Sequence, residues 1–181
     1  MAYNPVQQRA VAAIWNGGAS PEEDAKVSLA YLQAYGAGAI AVSGPKSAEF
    51  WKPYAHPTKF EGVLPRTVYQ FIVLTIARAT GADYEWHDHI AHARAAGLSD
   101  DVIEAVGSGR AAQLPEPYAL VHAILTKTTA WQVVPDDLQA RAAAQWGRSG
   151  LVELVVLSGF YQMFAAINQG FAIGVPPASG Q

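Results

Sequence analysis

The stretch Phe71-Ile72-Val73-Leu74-Thr75-Ile76-Ala77-Arg78-Ala79-Thr80-Gly81-Ala82-Asp83-Tyr84-Glu85-Trp86-His87-Asp88-His89 decides how the chain is read. Its first half, extended back to Pro65, is almost wholly apolar and ends at Gly81. The β-branched residues there would suit a buried strand. A run of about fifteen residues is long for a strand and fits a buried helix instead. From Asp83 the character changes: acids, aromatics and three histidines predict a second helix to about Ala96, with Gly97 as its C-cap.

Working outward, helix punctuation recurs. Ser99-Asp100-Asp101 caps a helix to about Gly107. Pro115-Glu116-Pro117 opens one to about Trp131, Pro135-Asp136-Asp137 one to about Gly147, and the last runs from about Ser149 to Gly170. Upstream, Asn4-Pro5 starts a segment closed by Gly17-Gly18, and Ser20-Pro21-Glu22-Glu23 has the form of a capping box before a helix to about Gly36. Lys46 to Tyr54 suits a further short helix. No segment alternates with period two, and no Asn-Gly or Asp-Gly hairpin signal occurs. The expected class is all-α. The expected organisation is an N-terminal helical extension over 1–60, a helical domain over 61–175 and a loose tail over 176–181.

Composition narrows the function classes. Of the 181 residues, 51% are hydrophobic and only 15% charged, where soluble domains carry about 25% charged residues. Alanine is the commonest residue, as tightly packed helices favour. Cysteine is absent, which excludes disulfides, thiolate metal sites and thiol chemistry. A net charge of -3 lacks the basic footprint of a nucleic-acid binder. No secretory signal is evident at Met1-Ala2-Tyr3-Asn4-Pro5. The longest apolar stretch, Leu154 to Ile167, falls short of the about 20 residues a bilayer span needs. A cytoplasmic protein without a membrane partner is therefore expected. So few charges on so much apolar surface point to surface hidden between subunits of a homo-oligomer.

The residues equipped for chemistry cluster in Tyr84-Glu85-Trp86-His87-Asp88-His89-Ile90-Ala91-His92. On a helix Glu85, His89 and His92 share one face, while His87 points roughly 160° away from His89. Asp88 and His92 form another pair one turn apart. A carboxylate one turn from an imidazole can fix its tautomer and raise its basicity, leaving the other nitrogen for proton transfer. Against this stands a solvated polar helix face. A metal site is the second chemical reading, but three ligands at this spacing spread over about 10 Å of helix axis and cannot all reach one ion. A pair such as His89 and His92 would need His56 or His122 from elsewhere. Glu153, within the apolar run Leu151 to Leu157, calls for a partner, with Arg66, Arg78, Arg94 or Arg148 available. Trp51, Trp86, Tyr161 and Phe164 could line an aromatic pocket or simply fill the core. Gly107-Ser108-Gly109 lacks the context of a phosphate loop, and Ser158-Gly159 that of a nucleophile elbow.

The decisive stretch, together with Ala95-Ala96-Gly97-Leu98-Ser99-Asp100-Asp101-Val102-Ile103 and the closing Leu151-Val152-Glu153-Leu154-Val155 with Gly159, Tyr161 and Asn168, resembles the carboxymuconolactone decarboxylase family of the alkylhydroperoxidase-D-like superfamily. The resemblance covers roughly residues 60–175. It implies an all-helical bundle assembling as trimers or hexamers, with active sites near subunit contacts. Peroxidase members carry a Cys-x-x-Cys with a histidine four residues further on. Those cysteines fall on Ala82 and Glu85, and the histidine on His89. The family's upstream glutamate falls on Gln70, which cannot ionise. A thiol peroxidase is thereby excluded.

The decarboxylase branch needs neither cysteine nor cofactor. Its resemblance implies loss of carbon dioxide from a small activated carboxylic acid or lactone, with stabilisation and protonation of the resulting anion. On this reading His89 is the acid/base and Glu85 its orienting or proton-sharing partner. His87, His92, Trp86, His56 and Tyr161 are candidate substrate contacts, and no metal or cofactor is assigned. The alternatives are a metal-dependent enzyme using His89 and His92, and a non-catalytic oligomeric ligand-binding protein.

Overall fold

The computed structural model describes residues 61–170 and Val175, and these contain α-helices and one short 3-10 turn but no strand. The first helix, α1 (Arg66–Thr80), begins directly after Pro65 and ends at Gly81, whose φ of 69° lies in the left-handed region that glycine adopts without strain. Ten consecutive residues of α1, Val68 to Ala77, are buried. A helix buried on all sides has neighbours around it, and α1 packs against α2 (Asp83–Ala95), α3 (Asp100–Gly107) and α4 (Tyr118–Thr129). Phe71, Ile72, Leu74 and Ile76 are fully enclosed, each contributing about 1.5–3 kcal/mol of burial free energy.

The caps explain where the helices stop. At the end of α2 the Leu98 N–H returns to the Ala93 carbonyl at 3.0 Å and the Gly97 N–H to that of Arg94 at 2.9 Å. This is the Schellman pattern, with Gly97 at φ 92° and Leu98 buried beneath it. Ser99 then caps α3, its hydroxyl accepting the Val102 N–H at 3.4 Å. Trp86 of α2 lies against Gly107 of α3, where a Cβ would come 3.1 Å from the indole ring.

Two expectations change. The helix expected from Pro115 starts at Tyr118, after a 3-10 turn at Ala111–Gln113. The reason is local: a residue before proline is sterically disfavoured in the α region, so Glu116 is a poor helical residue ahead of Pro117. Among the described residues Glu153 takes no arginine partner. Its half-buried carboxylate accepts the backbone N–H groups of Val63 at 2.6 Å and Leu64 at 3.1 Å, tying the entry of α1 to the last helix. Gly62 makes this possible, since a Cβ there would lie 1.8 Å from the Glu153 Oε1.

That last helix, α5 (Asp136–Gly170), is two helices joined across a kink at Gly147 (φ 72°, ψ 172°), where the sequence expects a break. By length and apolarity alone α5 is long enough to cross a membrane. Its Leu154, Leu157 and Tyr161 are instead buried in the helical core, while Val152, Val155 and Val156 are exposed. Residues 60–165 form one compact unit. The expected helices before residue 61, the N-terminal extension and the tail lie outside the described residues.

Candidate active site

The turn at Gly81 folds α2 back on α1 as a helical hairpin. Gln70 on α1 and His89 on α2 thereby meet, 19 residues apart in sequence, with His89 Nδ1 2.8 Å from Gln70 Oε1. Both are buried, at 2% and 8% exposure. In this placement Nδ1–H donates to the amide carbonyl. On the other side of the ring, Nε2 stands 3.5 Å from Glu85 Oε2, one turn earlier on α2, and 3.9 Å from Asp88 Oδ2. Glu85 is buried and Asp88 is half exposed.

A neutral imidazole carries one N–H. With that proton given to Gln70, the lone pair of Nε2 would oppose a carboxylate. A proton between them resolves the conflict, as imidazolium and carboxylate or as imidazole and carboxylic acid. Either form is formally neutral as a pair, which suits a buried position. The 3.5 Å separation is that of an ion pair rather than a tight hydrogen bond. Of the two roles expected for Glu85, orienting or proton-sharing, this geometry fits the second. Glu85 does not hold the tautomer from the far side of the ring. The amide of Gln70 does that, and Glu85 sits at the nitrogen expected to move the proton. Asp88 likewise reaches His89 rather than His92.

An aromatic wall completes the cluster. The Tyr161 ring meets His89 edge to face, with centroids 5.6 Å apart and planes at 85°. The Tyr161 hydroxyl is hydrogen-bonded to that of Tyr69, beside Gln70 on α1. The Arg66 guanidinium lies 4.0 Å from the centroid of the Tyr69 ring. Burial raises the Tyr161 phenol well above 10.0, and the charges of Tyr69 and Glu85 push the same way. Burial also raises Tyr69, against the lowering effect of its bonds to Tyr161 and Arg66. Both phenols are therefore protonated at neutral pH.

The remaining candidates fall elsewhere. His87 and His92 are exposed, although the His92 ring centroid lies 5.7 Å from that of His89. Trp86 packs against the core beside Gly107, and Phe164 stacks at a tilt on Tyr161. His122 is on α4, where burial lowers its pKa. His56 lies outside the described residues. Among the described residues no three His, Asp or Glu side chains are grouped to hold a metal ion. Sequence reasoning passed over Tyr69 and dismissed Gln70. The one available signal was that Gln70 occupies the place of an ionisable residue on the neighbouring helix.

An all-helical hairpin with a buried acid–imidazole pair and no cysteine is the class of protein that fold and site define. Residues 45–116 match the model of the carboxymuconolactone decarboxylase family, and the chain has no cysteine. The matched segment contains Gln70, Glu85 and His89 and ends before Tyr161. No curated protein and no solved structure matches the chain. The family match points to a decarboxylase-like or alkylhydroperoxidase-D-like function.

Proposed function

We propose that the protein is a cofactor-independent lyase that decarboxylates a small activated carboxylic acid or carboxylated lactone. The observation that carries this reading is the buried His89 ring, held at Nδ1 by an amide that cannot ionise and facing the Glu85 carboxylate at Nε2. On this reading the transferable proton lies on the Nε2 side, beside Glu85.

In the reaction the bond from the substrate carbon to its carboxylate breaks. The electron pair moves into the conjugated carbonyl, and carbon dioxide leaves. The dienolate-like anion then takes a proton on carbon from His89 Nε2. Glu85 stabilises the imidazolium before transfer, and the pair regains a proton from solvent. The protonated phenols of Tyr69 and Tyr161 favour negative charge on a substrate oxygen nearby, because neutral donors in a buried site need no reorganisation. Positioned proton transfer of this kind is worth about 10²–10⁴ in rate.

The test is a panel of β-keto acids and carboxylated lactones followed by release of carbon dioxide. Turnover should occur with at least one and should fall by about 10²–10⁴ in His89→Ala. Turnover unchanged in that variant would remove His89 from the reaction. We further propose a homo-oligomer, supported by the exposed Val152, Val155 and Val156 on one stretch of α5. Light scattering of the full chain gives the subunit count, and a monomer would overturn it.

A further inference from the structure

A cavity of about 150 Å³ lies between the C-terminal half of α1, α3, the 3-10 turn and α4. It shares no residue with the His89 cluster. Its buried floor is apolar, with Ala105, Val106, Leu114 and Leu125. Apolar cavities of this size accept a molecule as large as benzene.

Five polar side chains break that lining: Thr75, Arg78, His122, Thr126 and Thr129, and the hydroxyls of Thr126 and Thr129 donate to the His122 and Leu125 carbonyls at 2.8 Å each. Thr75, only 6% exposed, has a buried hydroxyl with no hydrogen-bond partner. A helical threonine ordinarily satisfies its hydroxyl on the carbonyl a turn earlier, as Thr80 does on Ile76 at 2.7 Å. An orphaned buried hydroxyl is unfavourable unless something else completes it. Arg78 stands at the exposed rim, and among the described residues no acid pairs with it. Among the described residues no Asp or Glu lines the cavity. The remaining polar ring, His122, is half-buried, and burial favours its neutral form.

We propose that this cavity is a binding site for a small monocarboxylate, distinct from the reaction site. The alkyl or aryl body fills the apolar floor. The carboxylate lies toward the rim, where Arg78 supplies the opposite charge, and the Thr75 hydroxyl gains an acceptor. An uncharged ligand of the same shape would leave the guanidinium unpaired, and a cation would meet it with repulsion. The chemistry therefore selects an anion with a short apolar tail.

Butyrate and benzoate, with butyramide and benzamide as uncharged counterparts, test this on the full chain by methyl-detected NMR titration. At least one acid should shift the methyl signals of Ala105, Val106 and Leu125 with millimolar or tighter affinity, and its amide should bind about tenfold more weakly. Arg78→Gln, an exposed change that the fold tolerates, should weaken the acid about tenfold. Thr75→Val should also weaken it, while raising the melting temperature of the ligand-free protein. His89→Ala should leave this binding within about twofold, which separates the cavity from the proposed reaction site. No shift at these methyls with either acid would overturn the proposal. So would equal binding of acid and amide, or undiminished binding in Arg78→Gln.

Discussion

The side-chain carbonyl of Gln70 accepts the Nδ1–H of His89 at 2.8 Å, with both groups buried. An amide at this position orients the ring without competing for its second proton. Gln70→Glu keeps the shape and adds a buried carboxylate. It should hold His89 as imidazolium from both sides, because opposite charge favours the charged form. We expect turnover to fall about 10–100-fold, by analogy with losses of histidine-orienting partners, and the pH–rate profile to move to higher pH. A profile unchanged in position would mean that Gln70 does not govern the protonation of His89.

The two tyrosines should respond unequally to loss of a hydroxyl. Tyr69→Phe removes the named partner of the Tyr161 hydroxyl, which is 2% exposed, and should cost about 1–3 kcal/mol. Tyr161→Phe leaves Tyr69 its interaction with Arg66 and should cost less, about 1 kcal/mol. Urea unfolding of both variants measures the difference. A larger loss in Tyr161→Phe would contradict the assignment.

Stability should also fall in alkali. Both phenols ionise above the ordinary value of 10.0 because burial disfavours phenolate, so the folded state holds these protons more tightly than the unfolded chain does. The stability they contribute is complete below the unfolded phenol range. It is lost as pH rises from that range towards the folded values. Melting temperatures measured across about pH 8–11 should drop less steeply in the Tyr69→Phe, Tyr161→Phe double variant. Parallel slopes would show that other groups dominate.

Gly62 and Glu153 should behave as a coupled pair. Gly62→Ala drives a methyl into the carboxylate and displaces it from the Val63 and Leu64 N–H groups, a loss of about 1–2 kcal/mol. In a Glu153→Ala background the same change should be nearly neutral. A double-mutant cycle gives the coupling, and simple additivity would rule out this contact as the cause.

Much of this architecture is legible in the residues. Gly81, Gly97 and Gly147 mark helix ends by their freedom at positive φ, and Ser99 by its hydroxyl. All four stand where the chain turns. The four-residue step from Glu85 to His89 likewise follows from helical geometry. The partners contributed by other helices are not legible, because packing rather than spacing brings them in. Gln70 meets His89 only once α2 folds onto α1. Tyr161 reaches Tyr69 across 92 residues, and Glu153 finds two backbone N–H groups that no side-chain pattern announces. The late start of α4 comes from a rule about the residue before proline, set against an N-terminal proline signal that reads the other way.

The central claim is that His89 keeps a proton on Nδ1 for Gln70 and shares one at Nε2 with Glu85. Nitrogen-15 NMR of histidine-labelled protein observes both ring nitrogens directly. At neutral pH we predict a protonated Nδ1 together with a protonated or proton-sharing Nε2, the latter becoming a bare acceptor in Glu85→Gln while Nδ1 keeps its proton. A bare Nδ1 with the sole ring proton on Nε2 would contradict the account.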